Sequence, residues 1–239
     1  MKRAIVFDLD DTLYAERDFA KSGYRAAERF LVGLNGTTGL AKACEDLFDA
    51  GERARIFDLA LPRLGLEPEA GLVARLVDIY RHHSPGITLP SDTVRFLAAM
   101  PDDWGFGIIT DGDAATQQAK LEALGLDKRA NRIIRTGEWG GDFRKPHPRS
   151  YAEMETHFEL PAERLAYVAD NPAKDFVTPR QRGWLTVQIN RPHRVHSPEA
   201  PGADFAARET IRSLDELADI LQRHPVGGGK KALHAAGSR

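Results

Sequence analysis

The sequence predicts an α/β protein, a parallel sheet whose first strand is separated from the others by a helical insertion. Three observations carry that reading. From residue 91 to residue 190, short apolar runs alternate with helix-period segments, a pattern that calls for right-handed crossovers between parallel strands. Ahead of this alternation the chain opens on one apolar run, residues 4–7, and then turns helical for roughly seventy residues. Aspartates gather at or just after the C-terminal ends of several strand-like runs, where open α/β sheets bind ligands.

The opening run, AIVF, is rich in β-branched and aromatic residues and suits the covered middle of a sheet. It leads into DLDDTLY, residues 8–14, with aspartate at three of its first four positions. The segments RDFAKSGYRAAERFLVGL, GLAKACEDLFDAG, RARIFDLALPRLGL and EAGLVARLVDIYRHH then place apolar residues at three- and four-residue spacing, so residues 15–87 read as a helical insertion. SPGITLP returns the chain to the sheet. Helices are expected over 91–100, 114–126, 149–158 and 173–183, and strands over 105–110, 131–136, 165–170 and 185–190. Residues 191–212 read as a loop with an edge strand, and a helix capped by Ser213 closes the fold. The expected division is a core of residues 1–14 and 88–222, an insertion of 15–87, and a disordered tail of 223–239.

Composition narrows the function classes. At 239 residues the chain can bury a substantial core. No apolar run approaches the roughly 20 residues of a membrane span, and the N-terminus runs from MKR straight into a strand, so a cytoplasmic protein without membrane contact is expected. The 33 basic and 35 acidic side chains give a net charge of −2, which offers nucleic acid no bulk attraction. The single cysteine, Cys44, excludes an intrachain disulfide and reads as a small buried hydrophobe.

The strand ends carry the chemistry. A parallel sheet brings its strand C-termini to one edge, which collects Asp8, Asp10, Thr110, Lys145, Asp170 and Asp175 from across the chain. If extended geometry continues past residue 7, Asp8 and Asp10 point to the same side and repel unless a cation or proton lies between them. Four carboxylates without cysteine or paired histidine make a hard oxygen site that favours Mg²⁺ over Zn²⁺, and Mg²⁺ commonly binds with substrate phosphate oxygens. One of the first pair could attack phosphorus to form an aspartyl-phosphate. Asp10 could protonate the leaving alkoxide and later deprotonate water. Lys145 would keep Asp8 ionised and offset phosphoryl charge, while Thr110 and the backbone N–H of Asp111 would donate hydrogen bonds to the phosphate.

These residues resemble the four ordered motifs of the haloacid dehalogenase-like superfamily: DLDDT with Asp8 and Asp10, a strand ending in Thr110, Lys145 within RKPHP, and ADNPAKD with Asp170 and Asp175. The resemblance spans roughly residues 5–222. It implies a Rossmann-like core, Mg²⁺ dependence, an Asp8-phosphate intermediate, and a metal held by the Asp8 side chain, the Asp10 carbonyl and Asp170. Asp175 reads as a residue that orients metal-bound water, with a first-turn helix acid complementing the dipole as the alternative. The resemblance also implies that the helical insertion is a cap closing over small substrates. Two positions depart from the family pattern, Asp11 and Ala169, where glycine is common. True dehalogenases in this superfamily lack an aspartate two residues after the nucleophile, so Asp10 favours phosphoryl transfer over carbon–halogen cleavage. The expected activity is hydrolysis of a small phosphorylated metabolite, a sugar phosphate or nucleotide. A phosphomutase and a non-catalytic binding protein are the alternatives.

Other residues read less sharply. Arg17, Lys21, Tyr24 and Arg25 lie near the expected cap entrance and could meet a second anionic group, although a charged helix face is usually just solvated. Trp139 could stack on a sugar or base, with plain packing the stronger expectation. His193 and His196 suggest a metal site but read as ordinary loop histidines.

Overall fold

The computed structural model describes residues 1–225; residues 226–239, most of the expected tail, lie outside the described residues. Strands β1 (Arg3–Phe7), β2 (Trp104–Thr110), β3 (Arg132–Arg135), β4 (Leu165–Ala169), β5 (Leu185–Ile189) and β6 (Glu209–Ile211) form one sheet in the order β3-β2-β1-β4-β5-β6. Every neighbouring pair is parallel, and the fold is Rossmann-like. The strand read as central is central: β1 is buried along its whole length between β2 and β4.

Side-chain alternation in β1 splits the core into two layers. Ile5 and Phe7 join Phe106, Ile108, Val168 and Val187 on one face, and Ala4 and Val6 join Ile109, Ile134 and Tyr167 on the other. The first layer is covered by α5 (Ser91–Ala99), α6 (Ala114–Ala123) and α9 (Leu217–Arg223), which contribute Phe96, Leu121 and Leu217. The second is covered by α7 (Arg149–Phe158), through Tyr151, Met154 and Phe158, together with Phe176 and Trp184.

Between β1 and β2 come α1 (Glu16–Asn35), α2 (Leu40–Asp49), α3 (Ile56–Arg63) and α4 (Ala70–His82). They bury their apolar stripes against one another, with Tyr24, Leu31, Cys44, Leu61 and Leu76 in a cluster separate from the sheet layers. Tyr24 of α1 stacks on Tyr80 of α4 at 5.3 Å between ring centroids. The buried thiol of Cys44 fits its reading as a small hydrophobe.

One expected element is much shorter. Only Val177–Gln181, α8, is helical in the segment 173–183. The carboxylate of Asp175 accepts from Asn171 N–H at 3.1 Å and the Asn171 side chain accepts from Ala173 N–H at 3.0 Å, which folds residues 171–175 into a side-chain-bonded turn instead. The edge strand appears as β6, and Ser213 forms a capping box with Glu216 ahead of α9.

Candidate active site

Asp8 is the first residue past β1, and its N–H still pairs with the Val168 carbonyl at 2.9 Å. It therefore shares the face of Ala4 and Val6 and meets Lys145, whose Nζ lies 2.6 Å from Asp8 Oδ1 and 2.8 Å from Asp175 Oδ1. The Lys145 amine also donates to the Tyr167 hydroxyl at 3.0 Å. Lys145 and Asp175 side chains are wholly buried. Burial works against the Lys145 ammonium, but Asp175 and Asp8 outweigh it and hold the group protonated.

Carboxylate oxygens of Asp8, Asp170 and Asp175 lie within 4.8 Å of one another, and no other such cluster occurs among the described residues. Burial pushes Asp8 up to about 6, with Asp175 adding to the rise against Lys145. Burial, Asp8 and Asp175 push Asp170 up to about 9. Asp170 Oδ2 and Asp175 Oδ1 are buried without a hydrogen-bond partner; for the latter the nearby ammonium is close but poorly aligned. Orphaned, mutually repelling oxygen donors of this kind fit a small hard cation, which would relieve all three carboxylates at once.

Asp10 departs from the extended geometry. The chain turns after Leu9, whose carbonyl accepts from Leu13 N–H at 3.0 Å, and Asp10 reaches the opposite sheet layer. There its carboxylate accepts from Lys120 Nζ at 2.7 Å, Gln117 Nε2 at 2.9 Å and the Tyr14 hydroxyl. Burial pushes Asp10 up, but Lys120 and these hydrogen bonds outweigh it and leave the carboxyl below its ordinary value. The two carboxylates thus avoid each other by taking partners from opposite faces of the sheet.

Thr110, at the end of β2, is buried and its hydroxyl accepts from Gln117. The Asp111 carboxylate accepts from Thr136 Oγ1 at 2.7 Å, Lys174 Nζ at 2.9 Å and the Lys145 N–H at 3.1 Å. Burial opposes its ionisation, but Lys145 and Lys174 hold it down at about 2. Asp11 occupies the left-handed region with φ of 51°, which explains why glycine suits that position. Here the strain is offset by side-chain hydrogen bonds from the N–H groups of Glu16 at 2.9 Å and Val195 at 2.7 Å.

These groups line a cleft of about 330 Å³ that contains Asp8, Asp10, Thr110, Asp111, Lys145 and Asp170. Glu16, Arg144 and Lys174 line it too and were not singled out from the sequence, and His196, read as an ordinary loop histidine, lies in its wall. Glu16 opens α1, where an acid reads as a complement to the helix dipole. Burial and then Asp10 push its carboxyl up to about 8. Gln117 and Lys120 carried a legible signal, being polar residues at helical spacing beside the buried Leu121 and Leu124. Glu16 and His196 also border a second chamber of about 360 Å³ among the inserted helices, lined in part by Tyr24, Phe57 and Tyr80. Lys21 and Arg25 line a different groove with Asp18 and Arg29, and Arg17 pairs with Asp49 at 2.5 Å. Trp139 packs under the Arg149 guanidinium at 4.1 Å and is outside the cleft, and neither His193 nor His196 joins a metal-ligating cluster among the described residues.

A Rossmann-like sheet with a buried aspartate at the end of its central strand, paired to a buried lysine and flanked by further aspartates, defines a class of α/β hydrolases. The model of the haloacid dehalogenase-like hydrolases matches residues 2–179, and the chain belongs to that family. Its curated relatives include a glyceraldehyde 3-phosphate phosphatase of Methanopyrus kandleri, 30% identical over 93% of this chain and 98% of that protein. A phosphoserine phosphatase of Thermus thermophilus is 30% identical over 62% of this chain and 58% of that protein. Family and relatives together identify an enzyme of the phosphatase kind. Among solved structures, the HAD-hydrolase YfnB of Bacillus subtilis, crystallised bound to magnesium, superposes with a TM-score of 0.64 at 20% identity, covering 92% of this chain and 98% of that one. No helix among the described residues is long and apolar enough to cross a membrane.

Proposed function

We propose that this protein is a Mg²⁺-dependent phosphate monoesterase that acts on a small phosphorylated metabolite through an aspartyl-phosphate on Asp8. The observation that carries the reading is the Asp8–Lys145–Asp175 ion triad beside the orphaned Asp170 oxygen. Asp8, Asp170 and Asp175, with the Asp10 carbonyl, would hold Mg²⁺, which would supply positive charge to offset that of the nucleophile and the phosphoryl group.

In the first step an Asp8 carboxylate oxygen bonds to phosphorus as the ester P–O bond breaks; Asp10, ionised in the resting site, takes a proton from the phosphate monoanion as it binds and passes it to the departing alkoxide. In the second, Asp10 takes a proton from a water whose oxygen bonds to phosphorus as the Asp8–phosphorus bond breaks; inorganic phosphate leaves, and Asp10 releases the proton to solvent and is again ionised. Lys145 compensates the charge on Asp8 and the phosphoryl oxygens, and Thr110 with the Asp111 N–H holds the phosphate in line. Residues 15–87 are read as the cap over this cleft. Relatives named glyceraldehyde 3-phosphate phosphatase, several of them spanning nearly the whole chain, favour a sugar phosphate as the substrate.

The test is phosphate release from sugar phosphates, nucleotides and phosphoserine, with Mg²⁺ or chelator, for wild type and Asp8→Asn. Release that needs the metal and vanishes in the variant is the expected result, with free phosphate rather than an isomeric ester as product. Unchanged turnover in Asp8→Asn would overturn the reading.

A further inference from the structure

The Asp10 carboxylate is held more tightly than a solvent-facing acid requires, by three donors from two parts of the chain. Tyr14 lies in the segment joining β1 to α1, and Gln117 and Lys120 project from α6. Lys120 is almost completely buried, its side chain 5% exposed against 21% for Asp10, and its ammonium also lies 4.4 Å from the centre of the Phe19 ring of α1. A buried lysine on an apolar helix stripe is costly unless paired, so its presence there calls for a role beyond packing.

The donors are unevenly shared. Oδ1 accepts from both Tyr14 and Lys120, whereas Oδ2 accepts only from Gln117. A carboxylate oxygen offers two lone-pair sites, so Oδ1 is saturated and Oδ2 keeps one site free. Asp10 borders the cleft, and Gln117 ties it further to Thr110, a residue of the same cleft wall.

We propose that Lys120, Gln117 and Tyr14 are positioning residues that lock the Asp10 rotamer and leave Oδ2 as the oxygen that exchanges a proton with the leaving group. This deepens the hydrolase reading and rests on it. The proton travels from Asp10 Oδ2 to the ester oxygen as the P–O bond breaks, and the clamp itself neither gains nor loses a proton. Because Lys120 rests on Phe19, the seating of α1 against the core helps set the Asp10 rotamer.

Leaving-group dependence separates this role from a structural one. Lys120→Met keeps the length of the side chain and its contact with Phe19 while removing the ammonium. It is assayed with Mg²⁺ on glycerol phosphate, whose alkoxide needs a proton to depart, and on p-nitrophenyl phosphate, whose phenolate does not. The expected result is a fall in kcat/KM on glycerol phosphate of roughly a hundredfold, with kcat/KM on p-nitrophenyl phosphate within about threefold of wild type, since kcat/KM reports the steps up to departure of the alcohol and omits the hydrolysis that the two esters share. Asp10→Asn with Lys120→Met should be no slower on glycerol phosphate than Asp10→Asn alone. Parallel losses of kcat/KM on the two esters, or additive losses in the double variant, would overturn the proposal while leaving the hydrolase reading intact. A wild type inert toward every ester would overturn both. Should thermal melting show that Lys120→Met is unfolded, Gln117→Leu carries the same comparison, with the same two outcomes.

Discussion

At the residue scale the candidate site is a problem in buried charge. Asp8, Asp170 and Asp175 repel one another in a region stripped of water, and Lys145 is the ammonium in direct contact with two of them. Removing one partner of a buried ion pair leaves the others uncompensated and commonly costs about 3–5 kcal/mol. Lys145→Met should therefore destabilise the chelated protein by an amount of that order in urea unfolding at pH 7. The loss should shrink at pH 5, where Asp8, already pushed up to about 6, takes up a proton. A loss below about 1 kcal/mol, the scale of an exposed pair, would contradict this picture. Asp11 illustrates a smaller balance, in which two hydrogen bonds to its carboxylate compensate a backbone conformation better suited to glycine.

At the scale of elements, the strand ends matter because rigid β-structure sets where the loops begin. The 3₁₀ turn after β3, Thr136–Trp139, packs directly on the loop that follows Thr110 and carries Asp111 and Gly112. A Cβ added at Gly137 would lie 2.0 Å from the Gly112 carbonyl oxygen, closer than any real contact allows. Gly137→Ala should push that loop out of line, lowering turnover at least tenfold while thermal unfolding shows a cooperative, only modestly less stable protein. Equal activity in the variant would mean that the loop backbone is not a determinant of the site. Most elements were legible because their cues are local: apolar alternation for the buried strands, three- and four-residue spacing for the helices, and Ser213 with Glu216 for the last cap. The turn 171–175 was not, because the aspartate, asparagine and proline that start a helix also build a side-chain-bonded turn.

At the scale of the whole molecule the carboxylate cluster links stability to pH and to metal. Asp170 is pushed up to about 9 in the folded protein and returns to an ordinary carboxylate value on unfolding. Between those values the folded state holds a proton that the unfolded state has released, so stability falls as pH rises. Melting temperatures of the chelated protein should therefore drop from pH 5 to pH 9, and Asp170→Asn should flatten that slope and raise the melting temperature at pH 8. Adding Mg²⁺ should restore stability to wild type in proportion to the logarithm of its concentration and do little for the variant. A slope identical in wild type and Asp170→Asn would show that the cluster is not the source.

By itself the sequence determined the parallel α/β architecture and the long helical insertion, and it pointed to six polar residues expected along the C-terminal edge of the sheet. Each of those follows from periodicity and from the rule that parallel strands share one C-terminal edge. Only the tertiary structure decided how those residues pair. The turn after Leu9 sends Asp10 to the α6 layer and leaves Asp8 with Lys145 and Asp175. Glu16 joins the site from a helix start and Lys174 from a turn, while the polar character of Gln117 and Lys120 beside buried leucines was legible but their partner was not. Ion pairing and burial depend on distances between segments far apart in the chain, such as Lys120 and Asp10 across 110 residues, and local pattern carries no information about them.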